Sequence, residues 1–215
     1  MTFIEYLLER WPELTELTLL HAQVVLIAIG VATVISVPVG VAVHGRDRAS
    51  RIVLSITGAA LTIPSFALFG LLIPIFGLGV LPTIAALVLY AIFPILRNTV
   101  TGLESVDPAM IDAGQGMGLS PGQRLRLVRL PLAWPVVLTG IRVSTIMVVA
   151  IAAIAAAVHG PGLGKLIFGG LARMGGANAL NDVLAGVVGV IIIALVLDIA
   201  FLVLARLTTS RGVRV

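Results

Sequence analysis

Cysteine is absent from the 215 residues, which excludes disulfide scaffolds and zinc–thiolate centres. Charge is also scarce. Asp, Glu, Lys and Arg make up 11% of the chain, against about 25% in ordinary soluble domains. The three histidines, His21, His44 and His159, are scattered and match no metal-binding spacing such as H-E-x-x-H. No G-x-S-x-G nucleophile elbow occurs. Aromatic residues are few, and no period-2 alternation runs through the long apolar stretches, which argues against a membrane barrel. What fills the chain is aliphatic: 59% is hydrophobic, with a mean hydropathy of +1.16. A solvated enzyme could not cover that composition with water-compatible surface. The reading is an integral membrane protein.

Five apolar stretches follow, near residues 17–43, 52–76, 80–100, 136–158 and 183–205. Each is long enough for the roughly 20 residues a bilayer-crossing helix needs. The fold class is therefore all-α, with five transmembrane helices in one domain, residues 17–205. The first stretch lacks the basic flank of a signal peptide and is preceded by Glu5, Glu9, Glu13 and Glu16. Residues 1–16 space Ile4, Leu7, Leu8, Trp11 and Leu14 helically, predicting an outer interfacial helix anchored by Trp11.

Loop charge gives the expected topology. Arg46, Arg48 and Arg51 lie between spans one and two. Arg124, Arg126 and Arg129 lie between spans three and four, with Arg97 at the membrane edge, and Arg206, Arg211 and Arg214 follow span five. The other side carries only Arg10, Lys165 and Arg173. Cations concentrate in the cytoplasm, so the amino end is expected outside and the tail, residues 206–215, inside. The net charge of +4 reflects this asymmetry rather than nucleic-acid binding.

Gly160-Pro161-Gly162-Leu163-Gly164-Lys165 looks superficially like a phosphate loop. A Walker A loop would need glycine in place of His159 and Ser or Thr in place of Leu166. The chain is thus expected to bind no nucleotide by that route. The cytoplasmic loop at 103–135 is more informative. Asp107-Pro108 reads as an N-cap with Pro at the first helical position, opening a short helix to about Met117. Ser120-Pro121-Gly122-Gln123 is a second start with capping-box spacing. Two short helices joined by a glycine elbow are expected.

The segment Asp112-Ala113-Gly114-Gln115-Gly116-Met117-Gly118, followed by Val128-Arg129-Leu130-Pro131, resembles the EAA loop of permease subunits in bacterial ATP-binding-cassette importers. That pattern is E-A-A, three residues, G, nine residues, I, one residue, L-P, and the spacing here matches without a gap. Ala113, Gly118, Leu130 and Pro131 agree in identity, whereas Asp112, Gly114 and Val128 depart from it. Ile63-Pro64-Ser65-Phe66-Ala67-Leu68, Tyr90, the run from Phe93 to Thr99, Gly140-Ile141-Arg142 and the Gly160–Gly164 run look like the osmoprotectant permeases, which import glycine betaine, choline, carnitine or proline.

The resemblance implies the type I importer permease fold and a multi-pass place in the bacterial inner membrane. It implies a second identical or homologous permease subunit, two ATP-binding subunits that hold ATP and Mg, and an extracytoplasmic substrate-binding protein. No cofactor is expected in this chain. The helix from Pro108 would be the coupling helix, with Ala113 and Gly114 allowing close approach, Asp112 capping or pairing, and Gly118 turning out of the groove. A permease for another small polar solute, or a secondary transporter or channel, is the alternative.

Among the spans, Pro64-Ser65 is the candidate break beside the pathway, with Tyr90 a further pathway candidate. Asp198, a carboxylate within span five, is a candidate pathway or inter-helix residue. Arg142 near the start of span four is expected to snorkel and anchor. The outer loop at 159–182, carrying Gly162 and Gly164, is expected to be gate-like, with a short helix near 166–174 and a polar face of Lys165, Arg173, Asn178, Asn181 and Asp182. Phe66, Phe69, Phe76, Tyr90 and Phe93 form no evident cage for a quaternary ammonium.

Overall fold

The computed structural model describes residues 1–209, so Arg211 and Arg214 lie outside the described residues. Among the described residues every regular element is helical. In order they are α1 (Phe3–Glu9), α2 (Trp11–Val43), α3 (Asp47–Ala60), α4 (Ser65–Phe76), α5 (Val80–Glu104), α6 (Pro108–Gly116), α7 (Pro121–Arg124), α8 (Leu130–Ile154), α9 (Gly164–Ala172) and α10 (Ala179–Thr208). A π-helical turn, Leu125–Arg129, joins α7 to α8, and a 3-10 turn, Ala155–Val158, follows α8.

Four helical stretches are long and apolar enough to cross a membrane, and a fifth results if α3 and α4 count as one span. That span is broken: the two helices meet at 94°. Pro64, which has no N–H to continue a helix, N-caps α4 with an extended ψ of 131°. The expected break thus lies at the Pro64-Ser65 step.

Helix α5 is the centre, packed between α2 and α8. Its inward face is buried along Ala86, Leu87, Ala91, Ile95 and Leu96. Lipid is as apolar as leucine, so close packing and polar tethers must hold such a bundle. Ser36 on α2 and Ser144 on α8 both donate to α5 carbonyls, those of Ile92 and Ala91. A side chain at Gly140 would stand 2.5 Å from Asn98 Cβ, so α5 and α8 cross at glycine contact. Helix α10 is peripheral. Ile191, Ile192, Leu195, Val196 and Ile199 remain more than half exposed, an apolar surface fit for lipid or a partner helix.

Three expected boundaries shift. Helix α1 ends at Arg10 rather than near residue 16, and Glu13 and Glu16 ride on the first turns of α2. The Thr2 side chain and Glu5 close a capping box on α1, and Pro12 at the start of α2 makes Arg10 a natural break. The helix of the fourth span begins well before residue 136: α7, the π-turn and α8 run on from Pro121 as one continuous helical stretch. The expected second short helix is therefore the root of a span. Arg142 then sits midway along α8, not at its start.

Candidate functional site

At one end of the bundle α6 hangs between α5 and α7. Asp107 accepts from Ala109 N–H at 2.8 Å to cap its start. The elbow follows at Gly118, whose φ of +82° lies in the left-handed region. The Ser120 hydroxyl and Gln123 side chain then close the capping box of α7. Arg124 crosses back, donating to Gln115 Oε1 at 2.6 Å, and Leu119 N–H reaches Gly114 O at 3.0 Å.

This geometry divides the seven-position motif. Asp112 and Ala113 are exposed on α6. With Met110 and Met117, which are 50% and 74% exposed, Ala113 forms an outward stripe at i, i+3 and i+7. Gly114 points the other way. It is buried, and a Cβ there would already touch Leu119, Arg124 and Val128 at 3.4–3.7 Å. Gly114 thus lies on the inner side of the hairpin, where an added Cβ would make ordinary van der Waals contact, while Asp112 and Ala113 stay on its open face. Leu130 packs in a small apolar cluster with Leu103, Val106, Ala133 and Ile111, and Pro131 starts α8 exposed. These two fix the root of the hairpin. A cavity of about 300 Å³ beneath α6 is lined by His44, Pro108, Ile111, Asp112 and Arg129, among others.

Midway along the bundle, Tyr90 of α5 is buried, and its hydroxyl donates to Ile63 O at 2.7 Å. It therefore ties α5 to the bend between α3 and α4, bringing together the candidates Tyr90 and Pro64-Ser65. Asp198 and Arg142 meet in a bidentate pair, with Nε to Oδ1 at 2.6 Å and Nη2 to Oδ2 at 2.8 Å. Arg142 does not snorkel to a membrane edge; its charge is answered within the bundle. The pairing could have been looked for as two opposite charges in two apolar spans.

At the opposite end from α6, the glycine-rich loop packs on the bundle by backbone contact. Gly162 has φ +111°, and a Cβ there would fall 2.8 Å from His21. A Cβ at Gly164 would fall 2.0 Å from Ala153 O. Ala152 and Ala153 of α8 are buried, and their small side chains allow this close approach. The fully buried His21 donates from Nε2 to Val149 O at 3.0 Å.

Asp182 is not on a polar outer face, as the sequence suggested. It is only 2% exposed. Its carboxylate accepts from the Tyr6 hydroxyl, from Arg10 at 2.6 Å and from Arg173 at 2.7 Å. One residue thus joins α1, the α1–α2 break, the end of α9 and the start of α10. Burial, and then donation to Asp182, push the Tyr6 phenol up to about 12. The signal was present in sequence as Tyr6 and Arg10 one turn apart, and the pairing partner was not.

Among the described residues no group of three His, Asp or Glu side chains could hold a metal ion.

The family model described as binding-protein-dependent transport system inner membrane component matches residues 25–210. The chain is 39% identical to the osmoprotectant import permease protein OsmW of Salmonella typhimurium, with the whole of both chains covered. It is 36% identical to the choline transport system permease protein OpuBB of Bacillus subtilis, over 98% of this chain and 95% of that one. Among solved structures it is similar to a chain of the inward-facing MetNI methionine ABC transporter. That match has a TM-score of 0.78 and 26% identity, and covers 92% of this chain and 96% of that one. With the α-helical spans and the hairpin at α6 already in view, the chain belongs to the inner-membrane permease subunits of binding-protein-dependent ABC importers, whose ATP is hydrolysed by a partner.

Proposed function

We propose that this permease imports small quaternary-ammonium osmoprotectants of the glycine betaine, choline and carnitine kind, and that α6 is the element through which ATP hydrolysis drives it. The substrate class rests on full-length identity to relatives named for osmoprotectant, choline, and glycine betaine/carnitine/choline transport. The drive rests on one observation. A capped helix, set off by a left-handed glycine, presents Met110, Asp112, Ala113 and Met117 to the outside of the bundle. Exposed methionines on a short rigid helix suit a groove on another protein, since thioethers adapt to an apolar wall.

The concentration of loop cations supports a cytoplasmic α6 and an outer α1. Two permeases, identical or homologous, stand over two ATP-binding subunits, which hold the ATP and Mg; this chain itself needs no cofactor. The apolar outer surface of α10 suits a neighbouring helix or lipid. Closure of the ATP-binding pair displaces α6, and the hairpin passes that motion to α5 and α8, its two roots. The two states differ in contacts at both ends, as coupling requires. Pro64, Ser65 and Tyr90 line or flank the pathway at the broken span, and the Gly162–Gly164 turn forms its outer gate.

The test is reconstitution with the ATP-binding subunits and binding protein, followed by uptake of labelled glycine betaine, choline and carnitine. ATP-dependent uptake of at least one of them is expected. Uptake without the ATP-binding subunits would overturn the coupling assignment in favour of a secondary transporter. ATP-dependent uptake of other solutes alone would overturn the substrate class.

A further inference from the structure

Arg142 is the central residue of α8, twelve residues from Leu130 and twelve from Ile154. At 1.5 Å per residue that is about 18 Å from either end of α8, and Asp198 stands ten residues, about 15 Å, before Thr208 at the end of α10, so both charges lie within helices long enough to cross a hydrocarbon layer about 30 Å thick. Yet the pair is not sealed. The Arg142 side chain is 35% exposed and that of Asp198 is 23% exposed. Charges at this depth avoid lipid and face the bundle interior or a water-filled cavity. The surface where α8 and α10 meet around the pair must therefore face the pathway or protein.

We infer that Arg142 and Asp198 form a low-affinity site on the translocation pathway for a zwitterion that carries a carboxylate and a quaternary ammonium. This inference rests on the substrate class proposed above and adds the residues that read it. The pair is net neutral and planar on the guanidinium side, and its two charges are within hydrogen-bond distance. A zwitterion enters by exchange of partners: its carboxylate takes the guanidinium and its ammonium lies against the Asp198 carboxylate. No net charge enters the apolar interior, so the desolvation that bars a lone ion is largely avoided. Phe201, one turn beyond Asp198 and partly buried against the core, offers an aromatic edge to the methyl groups. When the solute leaves, Arg142 and Asp198 close on each other again. That competition keeps binding weak, as a transit site requires.

The test uses the complete importer with its binding protein. Asp198→Glu keeps the ion pair but moves the carboxylate outward by one methylene. The ratio of carnitine to glycine betaine uptake is expected to shift at least threefold, with assembled complex at the wild-type amount. An unchanged ratio overturns the site. The double variant Arg142→Gln with Asp198→Asn replaces the charges by an amide pair and is expected to lower glycine betaine uptake at least tenfold. Wild-type uptake by an assembled double variant would show a structural tether only and overturn the site while leaving the substrate class standing. Uptake of choline but of neither zwitterion by the wild-type importer would overturn the site alone, and uptake of none of the three would overturn both.

Discussion

The Tyr6 hydroxyl donates to the Asp182 carboxylate across 176 residues of chain, and both side chains are almost wholly buried. Arg10 and Arg173 complete the shell of that carboxylate. The amino-terminal helix is thus held to the head of α10, beside the end of the loop that carries Gly162 and Gly164. Removal of the acceptor leaves three donors facing one another with nothing to receive them. Charge-assisted hydrogen bonds contribute roughly 1.5–3 kcal/mol each, and solvent at the two arginines reduces that. Asp182→Ala is expected to lower the thermal midpoint of the purified complex, while Asp182→Asn, which keeps an acceptor oxygen, costs less. Equal midpoints for wild type and Asp182→Ala would show the latch to be idle.

The same contact sets an alkaline limit. A phenol whose folded pKa is raised to about 12 favours the folded state fully below its ordinary value near 10. That contribution is lost as pH climbs from about 10 through 12. The chain has only two tyrosines, so a Tyr90→Phe variant leaves Tyr6 as the sole reporter. Ultraviolet titration of that variant is expected to show a phenol ionising near 12, and the stability of wild type should fall more steeply between about pH 10 and 12 than that of Tyr6→Phe.

Topology is open to thiol labelling because the native chain offers no background cysteine. Single cysteines at Glu13 and Asn178, both exposed, are expected to react with an impermeant reagent in intact cells. Those at Arg48 and Gln123, also exposed, should react only after permeabilisation. Labelling at Gln123 in intact cells would reverse the orientation.

Gly118 separates strain from crowding. A Cβ there meets nothing within 4 Å, so any substitution acts through its φ of +82° alone. For a β-branched residue the left-handed region costs about 1–2 kcal/mol. Gly118→Val is expected to insert normally but lose most uptake as the elbow reopens, whereas Gly118→Asn, which tolerates that region, retains it. Equal uptake by the two variants would mean the elbow has no role in coupling.

Much of this fold was legible in sequence because its signals are local. Apolar runs mark the spans, Asp107-Pro108 and Ser120-Pro121 cap the hairpin helices, and the Pro64 step announces the break. What stayed hidden depends on which residues meet across the bundle. Nothing local to Gly114 shows that Leu119 and Val128 lie within contact of it. Asp182 reads as loop polarity, yet Tyr6, Arg10 and Arg173 converge on it from other elements. Arg142 reads as an anchor because the sequence places the start of its span at the last interruption in hydropathy. The helix in fact continues back to Pro121 through a π-turn, which no apolar pattern reveals.

If α6 carries the force of ATP hydrolysis it must touch the ATP-binding subunit, and cross-linking reads that contact. A benzophenone maleimide is attached to a single cysteine at Met117, which is 74% exposed on the face away from the bundle. The same label at Asn178, at the opposite end, serves as control. In transport-competent complexes a photo-adduct is expected between the Met117 site and the ATP-binding subunit, diminished when nucleotide is trapped, and none from Asn178. A complex that imports solute yet forms no adduct from Met117 would contradict it.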